Sequence, residues 1–300
     1  MLKETEKIIK SLKSKNSHGY DGIPMKVLKV TTPFITSPLT YICNKLLLSG
    51  IFPSWLKFSE IKPLSKKGDK TDITNFWPIS LLTSFSKILE KVIYTSMYQH
   101  INQNNILATK QYGFRNNSST EKTSFKLINE ILLAFNYKLT VDGIFCDLEK
   151  TFDSVNHDIL LSKCEFYAFR CKTNALLLSY LNDRYQTVLI NNSFSNTTTF
   201  SGWGKLKHSV PQGSIFGPLF FLIYINDLPN IIADPLKPIL FADDTSIIIT
   251  NPSPSKFKED INDIIDNIND WFRGNLLSLN FDKTYFLQFS LKNSYEINKT

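Results

Sequence analysis

The chain has few of the residues that anchor special chemistry. Its four cysteines, Cys43, Cys146, Cys164 and Cys171, form no Cys-x-x-Cys pair and no zinc-ligand spacing. That excludes zinc modules and disulfide scaffolds and points to ordinary thiols in a reducing compartment. Arginine is equally scarce, four of the 34 basic residues, the rest being lysine. Lysine attracts anions as a point charge and lacks the planar fork that reads bases in pairs. The most membrane-like run, Ile215 to Ile225, is broken by Gly217 and Pro218 and falls short of the ~20 residues that span a bilayer. No secretory leader is expected, because Met1-Leu-Lys-Glu-Thr-Glu-Lys7 is charged from its start. Internal repeats and low-complexity linkers are also missing, so the chain reads as a protein, or a piece of one, that works without a membrane.

What is present is bulk and uneven charge. Three hundred residues, 42% of them hydrophobic and including 23 Phe and 12 Tyr, can build the core of one large or two smaller domains. The net charge is +7, but residues 1–150 hold 21 Lys and Arg against 12 Asp and Glu, whereas residues 151–300 hold 13 against 15. A basic half beside a mildly acidic half suits a polyanion held by one part while carboxylates work in the other.

Periodicity predicts surface helix over residues 2–15, a turn cluster at His18 to Pro24, and helical sequence up to Ser49. A strand from Ile61 leads to a lysine-rich tip at Lys62, Lys66, Lys67 and Lys70. Residues 79–101 and 121–137 read as long helices, Ala175 to Leu181 as part of another, and Gln186 to Ile190 as a strand. Phe216 to Asp227 is a continuous apolar helix, and 256–273 is a periodic one with Phe257, Ile261, Ile264, Ile265, Ile268 and Phe272 on one face. Helices and strands without regular alternation predict an α+β fold.

The chemistry concentrates in acids that end apolar strands. Pro238 to Thr250 is one β-rich run interrupted by Asp243 and Asp244. Like charges in apolar surroundings are costly without a compensating cation. Side chains alternate faces along a strand, so neighbouring acids share an edge only at a turn. This predicts a hairpin joined at Asp243-Asp244. Asp147, at the end of the buried strand Gly143 to Leu148, is a third carboxylate in a similar setting. Three such oxygens suit hard divalent ions, Mg²⁺ or Mn²⁺, of the kind that clamp phosphoryl transfer in pairs.

Six segments in order extend this beyond the acids. Phe145-Cys-Asp-Leu-Glu-Lys-Thr-Phe-Asp-Ser-Val-Asn-His157 resembles the first palm motif of reverse transcriptases, Val210 to Pro229 their second, and Phe241-Ala-Asp-Asp244 their third. Asn75-Phe-Trp-Pro-Ile-Ser-Leu-Leu82 and Gln111-Tyr-Gly-Phe-Arg115 resemble their fingers motifs, and Trp271 to Thr284 the segment after the hairpin. The match runs from about Gly19 to Phe289, in the form seen in non-LTR retrotransposons of the jockey type.

The resemblance implies a right-hand polymerase with helical fingers, an antiparallel palm sheet and a truncated thumb. Residues 1–18 would be a leading helix, 19–140 fingers, 141–290 palm with a partly fingers-like insertion at 161–204, and 291–300 the start of the thumb. It implies RNA-directed DNA synthesis from dNTPs on an RNA template and DNA primer, with Mg²⁺ or Mn²⁺, inside the cell in cytoplasm or nucleus. Asp147, Asp243 and Asp244 would bind the metal, and Lys283 would sit near the leaving pyrophosphate. Phe152 would be the steric gate against a ribose 2′-OH, Gln212 and Gly213 would pack on the incoming nucleotide, and Arg115 would face template or triphosphate. The lysines at 62, 66, 67 and 70 would meet phosphates. His157 and Asp158 read as helix-start residues.

The chain departs from the family at Trp77, where Arg is usual, at Thr151 for Ala, Ser209 for Gly, Phe216 for Leu, Ala168 for Gly and Phe169 for an aliphatic residue. The resemblance also leads one to expect an endonuclease upstream of the polymerase. Two other readings share these residues: a decayed polymerase copy that binds nucleic acid without catalysis, which Trp77 favours, and a two-metal nuclease, which Phe152 and Gln212 oppose because a nuclease needs no sugar gate.

Overall fold

Short apolar runs sort into strand or helix according to their pairing partners, and the computed structural model shows where that happens. It describes residues 2–66, 68–192, 197–232, 236–251 and 257–291. The chain divides into two compact units, one of residues 1–106 and 156–220, the other of 107–155 and 221–300.

In chain order, the first unit opens with helices α1 (Leu2–Ser11), α2 (Met25–Val30) and α3 (Thr32–Ser49), then strands β1 (Phe58–Ser65) and β2 (Phe76–Leu81) and helix α4 (Ser84–Gln103). The second unit contributes α5 (Thr120–Asn136) and β3 (Thr140–Cys146). The chain returns to the first unit through α6 (His157–Phe166), α7 (Lys172–Leu181), β4 (Tyr185–Asn192), β5 (Thr197–Phe200) and β6 (Gly204–Lys205). Helix α8 (Phe216–Tyr224) has residues in both units. The second unit ends with α9 (Leu228–Ile231), β7 (Lys237–Phe241), β8 (Asp244–Asn251), α10 (Phe257–Gly274) and β9 (Tyr285–Phe289).

The helix expected from residue 79 begins later. Residues 76–81 form β2, antiparallel to β1, with Pro63 opposite Pro78 and Ile61 opposite Ser80. Thr83 then caps α4, its hydroxyl accepting from the Ser86 amide, so the extended cap marks the helix start. β1 also pairs in parallel with β4, Phe58 opposite Tyr185, and β4 pairs antiparallel with β5 and β6. The first unit's sheet is therefore mixed. The face of α10 is partly visible: Ile268 and Phe272 are buried, Ile265 is more exposed, and the side chains of Phe257 and Ile261 lie outside the described residues. The thumb expected at 291–300 lies outside them too, apart from Leu291.

The second unit's sheet has the order β7-β8-β3-β9, every pair antiparallel. Ala134 on α5 packs with Val141 of β3 and Ile248 of β8, and Leu127, Ile131, Phe135 and Phe289 surround them. Glu130 on α5 ties that helix to the sheet through Lys237 of β7 at 2.6 Å. Three thiols are inert packing: burial pushes Cys43 and Cys146 up to about 11 and Cys164 up to about 12. Among the described residues no helix is long and apolar enough to cross a membrane.

One core residue conflicts with its surroundings. Asp142 of β3 is 1% exposed, and neither carboxyl oxygen has a hydrogen-bond partner among the described residues. It stands opposite Ile249, on the side of the strand that Ile144 shares, and burial raises its pKa. An unpartnered buried polar group costs about 1–3 kcal/mol. The unfolded acid titrates near 4. Because the folded value lies higher, the folded state's deficit opens as pH rises from about 4 through that value. Asp142→Val should therefore stabilise the chain by about 2 kcal/mol at pH 7.5 and by less at pH 4.5. Melting curves at the two pH values check this; a variant no more stable at pH 7.5 would show the carboxylate to be satisfied.

Candidate functional site

The acids meet at one end of the second unit's sheet. β7 and β8 close with Phe241 opposite Asp244, so the loop is Ala242-Asp243, and Asp244 is the first residue of β8. The expected hairpin is present, one residue earlier than the sequence reading places its turn. The shift has a backbone cause: Ala242 takes φ +56, the left-handed first position that two-residue hairpin loops use. For alanine that conformation costs about 1–2 kcal/mol. On the other side of β8, Cys146 pairs with Thr245, and continuing the register by one residue sets Asp147 opposite Asp244.

Asp244 feels the other two carboxylates. The pKa of Asp244 is raised, first by what shields its carboxyl from water and then by the charges of Asp243 and Asp147. Among the described residues no three acidic, His or Cys side chains stand close enough to cage an ion by themselves. The donor set nevertheless fits a hard divalent cation, since the groups are all carboxylates and the repulsion at Asp244 is what a cation would relieve.

The flanking residues bear directly on these acids. The Lys283 ammonium lies 3.4 Å from Asp147 Oδ2. The backbone of Asp147 is held by the same segment: the Asn280 amide donates to its carbonyl at 2.9 Å, and Leu148 bridges to Leu279. Thr151, one of the departures from the family pattern, donates its hydroxyl to Asp243 Oδ2 at 3.0 Å. Sequence reasoning flagged Thr151 without this contact, which spans 92 positions. Phe152 is half-buried, its ring 5.8 Å from Phe221 and 6.4 Å from Phe114. Arg115 donates Nη1 to the carbonyls of Ala108 at 2.8 Å and Gln111 at 3.1 Å, bracing its own loop.

The remaining candidates lie in the first unit. Gln212 and Gly213 form the turn before α8. The Gln212 carbonyl accepts from the Ser80 amide at 2.7 Å. Gly213 has φ +113, and a Cβ there would stand 2.9 Å from the Ser80 carbonyl, so only glycine fits. Two segments that resemble separate motifs, 75–82 and 210–229, thus meet at β2. The other end of the turn is tied to Glu90 of α4, a residue the sequence reading passes over. Glu90 is fully buried; Oε2 accepts from the Ile215 amide at 2.8 Å and Oε1 from Ser86 at 3.0 Å and Tyr180 at 3.1 Å. Burial raises its pKa against the nearby charge of Arg184 and these donors. Arg184, 1% exposed, stacks 4.6 Å over the Tyr180 ring.

Lys62 and Lys70 are exposed, Lys66 is half-buried, and Lys67 lies outside the described residues. Trp77 is 53% exposed on β2, with the Lys66 ammonium 5.9 Å from its ring. His157 begins α6 as expected; it is buried against the Ser209 carbonyl at 2.7 Å, and burial lowers its pKa. The departures Ala168 and Ser209 carry φ +67 and +86, so glycine is the residue those backbones favour.

A hairpin bearing two aspartates beside a strand that ends in a third is the palm arrangement of template-copying polymerases. The chain belongs to the reverse transcriptase (RNA-dependent DNA polymerase) family, whose sequence profile matches residues 64–295. It is 31% identical over 97% of its length to the probable RNA-directed DNA polymerase from transposon BS of Drosophila melanogaster. It is 25% identical over 94% of its length to the RNA-directed DNA polymerase from mobile element jockey of the same fly. It spans about a third of those relatives, 32% and 31% of their lengths. In fold it is similar to apo telomerase from Candida tropicalis truncated from its C-terminal domain, with a TM-score of 0.58 at 12% identity, covering 91% of this chain and 57% of that one. Telomerase of the same yeast in complex with a fragment of telomeric RNA gives 0.56 at 13% identity, covering 86% and 45%.

Proposed function

We propose that the chain carries out RNA-directed DNA synthesis for a non-LTR retrotransposon, adding dNTPs to a DNA primer on an RNA template inside the cell. The observation that carries this reading is the register that sets Asp147 opposite Asp244 with Asp243 in the adjoining loop. Asp147, Asp243 and Asp244 would hold Mg²⁺ or Mn²⁺, which when bound neutralises phosphate charge and makes the primer 3′-OH a better nucleophile. Lys283, paired with Asp147, keeps an ammonium beside the reacting phosphates, where it offsets charge or gives up a proton to the leaving pyrophosphate. Gln212 and Gly213 present backbone to the nucleotide, Arg115 orders the loop before α5, and Lys62, Lys66, Lys67 and Lys70 attract phosphates. In this reading residues 19–140 are fingers and 141–290 palm.

Primer extension by the purified chain on a homopolymer RNA template, with Mg²⁺ and with Mn²⁺, tests the proposal beside a binding assay. Extension with dNTPs supports it; duplex binding without extension under either metal supports the decayed-copy reading instead. Binding should weaken steeply with salt as phosphate contacts release counterions. In the active chain Phe152→Val should raise ribonucleotide incorporation relative to deoxyribonucleotide by about tenfold, since about 1.4 kcal/mol of exclusion is relieved. Unchanged sugar discrimination would make Phe152 a packing residue only.

A further inference from the structure

Beyond the acids, one neutral side chain is built into the turn that carries them. Gln111 is 2% exposed, on a segment far from β7 and β8 in sequence. Its Oε1 accepts from the Ala242 amide at 2.9 Å and from the Gly113 amide at 2.7 Å, and its Nε2 donates to the Ala242 carbonyl at 3.3 Å. One side-chain amide thus satisfies both backbone groups of the residue before Asp243, as a neighbouring strand would.

The backbone around Gln111 fixes where that amide sits. The Tyr112 amide donates to the Leu240 carbonyl at 2.8 Å, and the Leu240 amide to the Lys110 carbonyl at 2.9 Å, a parallel bridge along β7. Gly113 closes the approach: a Cβ there would fall 2.1 Å from the Ala242 nitrogen and 2.8 Å from the Phe241 carbonyl carbon. The residue so clamped is an alanine in a left-handed conformation, which it would leave readily without support.

From this we infer that Gln111 is a positioning residue for Asp243. It holds the Ala242-Asp243 loop in the one conformation that aims the Asp243 carboxylate, and it touches neither substrate nor metal. Glutamine suits the task because it offers an acceptor and a donor without charge. Glutamate would lose the donor and set another negative charge near Asp243. This inference rests on the polymerase reading for its effect on rate, and on geometry alone for its effect on the loop.

The test uses Gln111→Met, of similar length without the hydrogen bonds, and Gln111→Glu, which keeps acceptors only. Hydrogen exchange is followed at the amides of 241–244 and along β3–β8, and kcat and KM for dNTP are measured on a primed RNA template. Gln111→Met should speed exchange at Ala242 at least tenfold while the β3–β8 amides stay protected. Its kcat should fall about ten- to hundredfold with KM within twofold, the cost of a misplaced reacting group, and Gln111→Glu should fall between it and the parent. Ile248→Val, a buried β8 change away from the loop, serves as control: it lowers the melting temperature but leaves kcat and loop exchange unchanged. If Gln111→Met does not fold, loop exchange in Gln111→Glu decides. Protected loop amides in a folded variant, or kcat within twofold of an active parent, overturn the inference. A parent chain that incorporates nothing ends the polymerase reading, and loop exchange still decides whether Gln111 holds the turn.

Discussion

Asp243→Asn should cut nucleotide incorporation about a thousandfold while leaving the fold intact. The substitution keeps size and shape but removes one of three charges that converge at the β7–β8 loop. Loss of a charged metal ligand removes several kcal/mol of transition-state stabilisation, and about 4 kcal/mol corresponds to three decades in rate. The melting temperature should hold or rise, because repulsion at Asp244 falls. Single-turnover incorporation with Mg²⁺ and Mn²⁺, beside a melting curve, measures both. Activity within tenfold of the parent would mean that Asp243 is not a ligand.

The second large effect is on stability. Glu90→Ala should destabilise the first unit by about 3–5 kcal/mol, the usual cost of removing one partner from a buried charged network. It strands the Ile215 amide and the Ser86 and Tyr180 hydroxyls, and it removes a nearby acid from a buried Arg184 whose Nε and Nη2 already have no hydrogen-bond partner among the described residues. Glu90→Gln keeps an acceptor and should cost less than half as much. Denaturant titration of the three chains resolves the order. Equal stability of Glu90→Ala and the parent would show that the network contributes nothing net.

The strands that carry the acids were legible because each is a short apolar run ending in a charge, a pattern a core strand shows only at its end. The family resemblance followed from the order of six motif segments, these acids among them. The start of α4 was not legible: Ile79, Leu81 and Leu82 satisfy helix and strand periods alike, and only pairing with β1 decides. Glu90 was hidden for another reason. A glutamate between Leu89 and Lys91 reads as helix surface, and nothing local reports that Ile215, 125 residues away, needs an acceptor. Gln111 stood inside a quoted motif, but its partner lies 131 residues downstream. Ala168 and Ser209 read as erosion of the family pattern, and the backbone angles say what each change strains. Residue types announce chemistry; the acceptors and donors that aim it are set by contacts across the chain.

The interleaving of the two units bears on how the chain can be made. β3 leaves the ribosome early, yet its ladder partners β8 and β9 come only at residues 244–251 and 285–289. A nascent chain that has reached Phe220 holds every segment of the first unit, while β3 still presents two bare edges with Val141 and Ile144 between them. At roughly 5–20 residues per second, that state lasts on the order of several seconds, the interval in which an unpaired apolar strand recruits the wrong neighbour. Premature stops in this window would yield sticky fragments rather than weak enzymes.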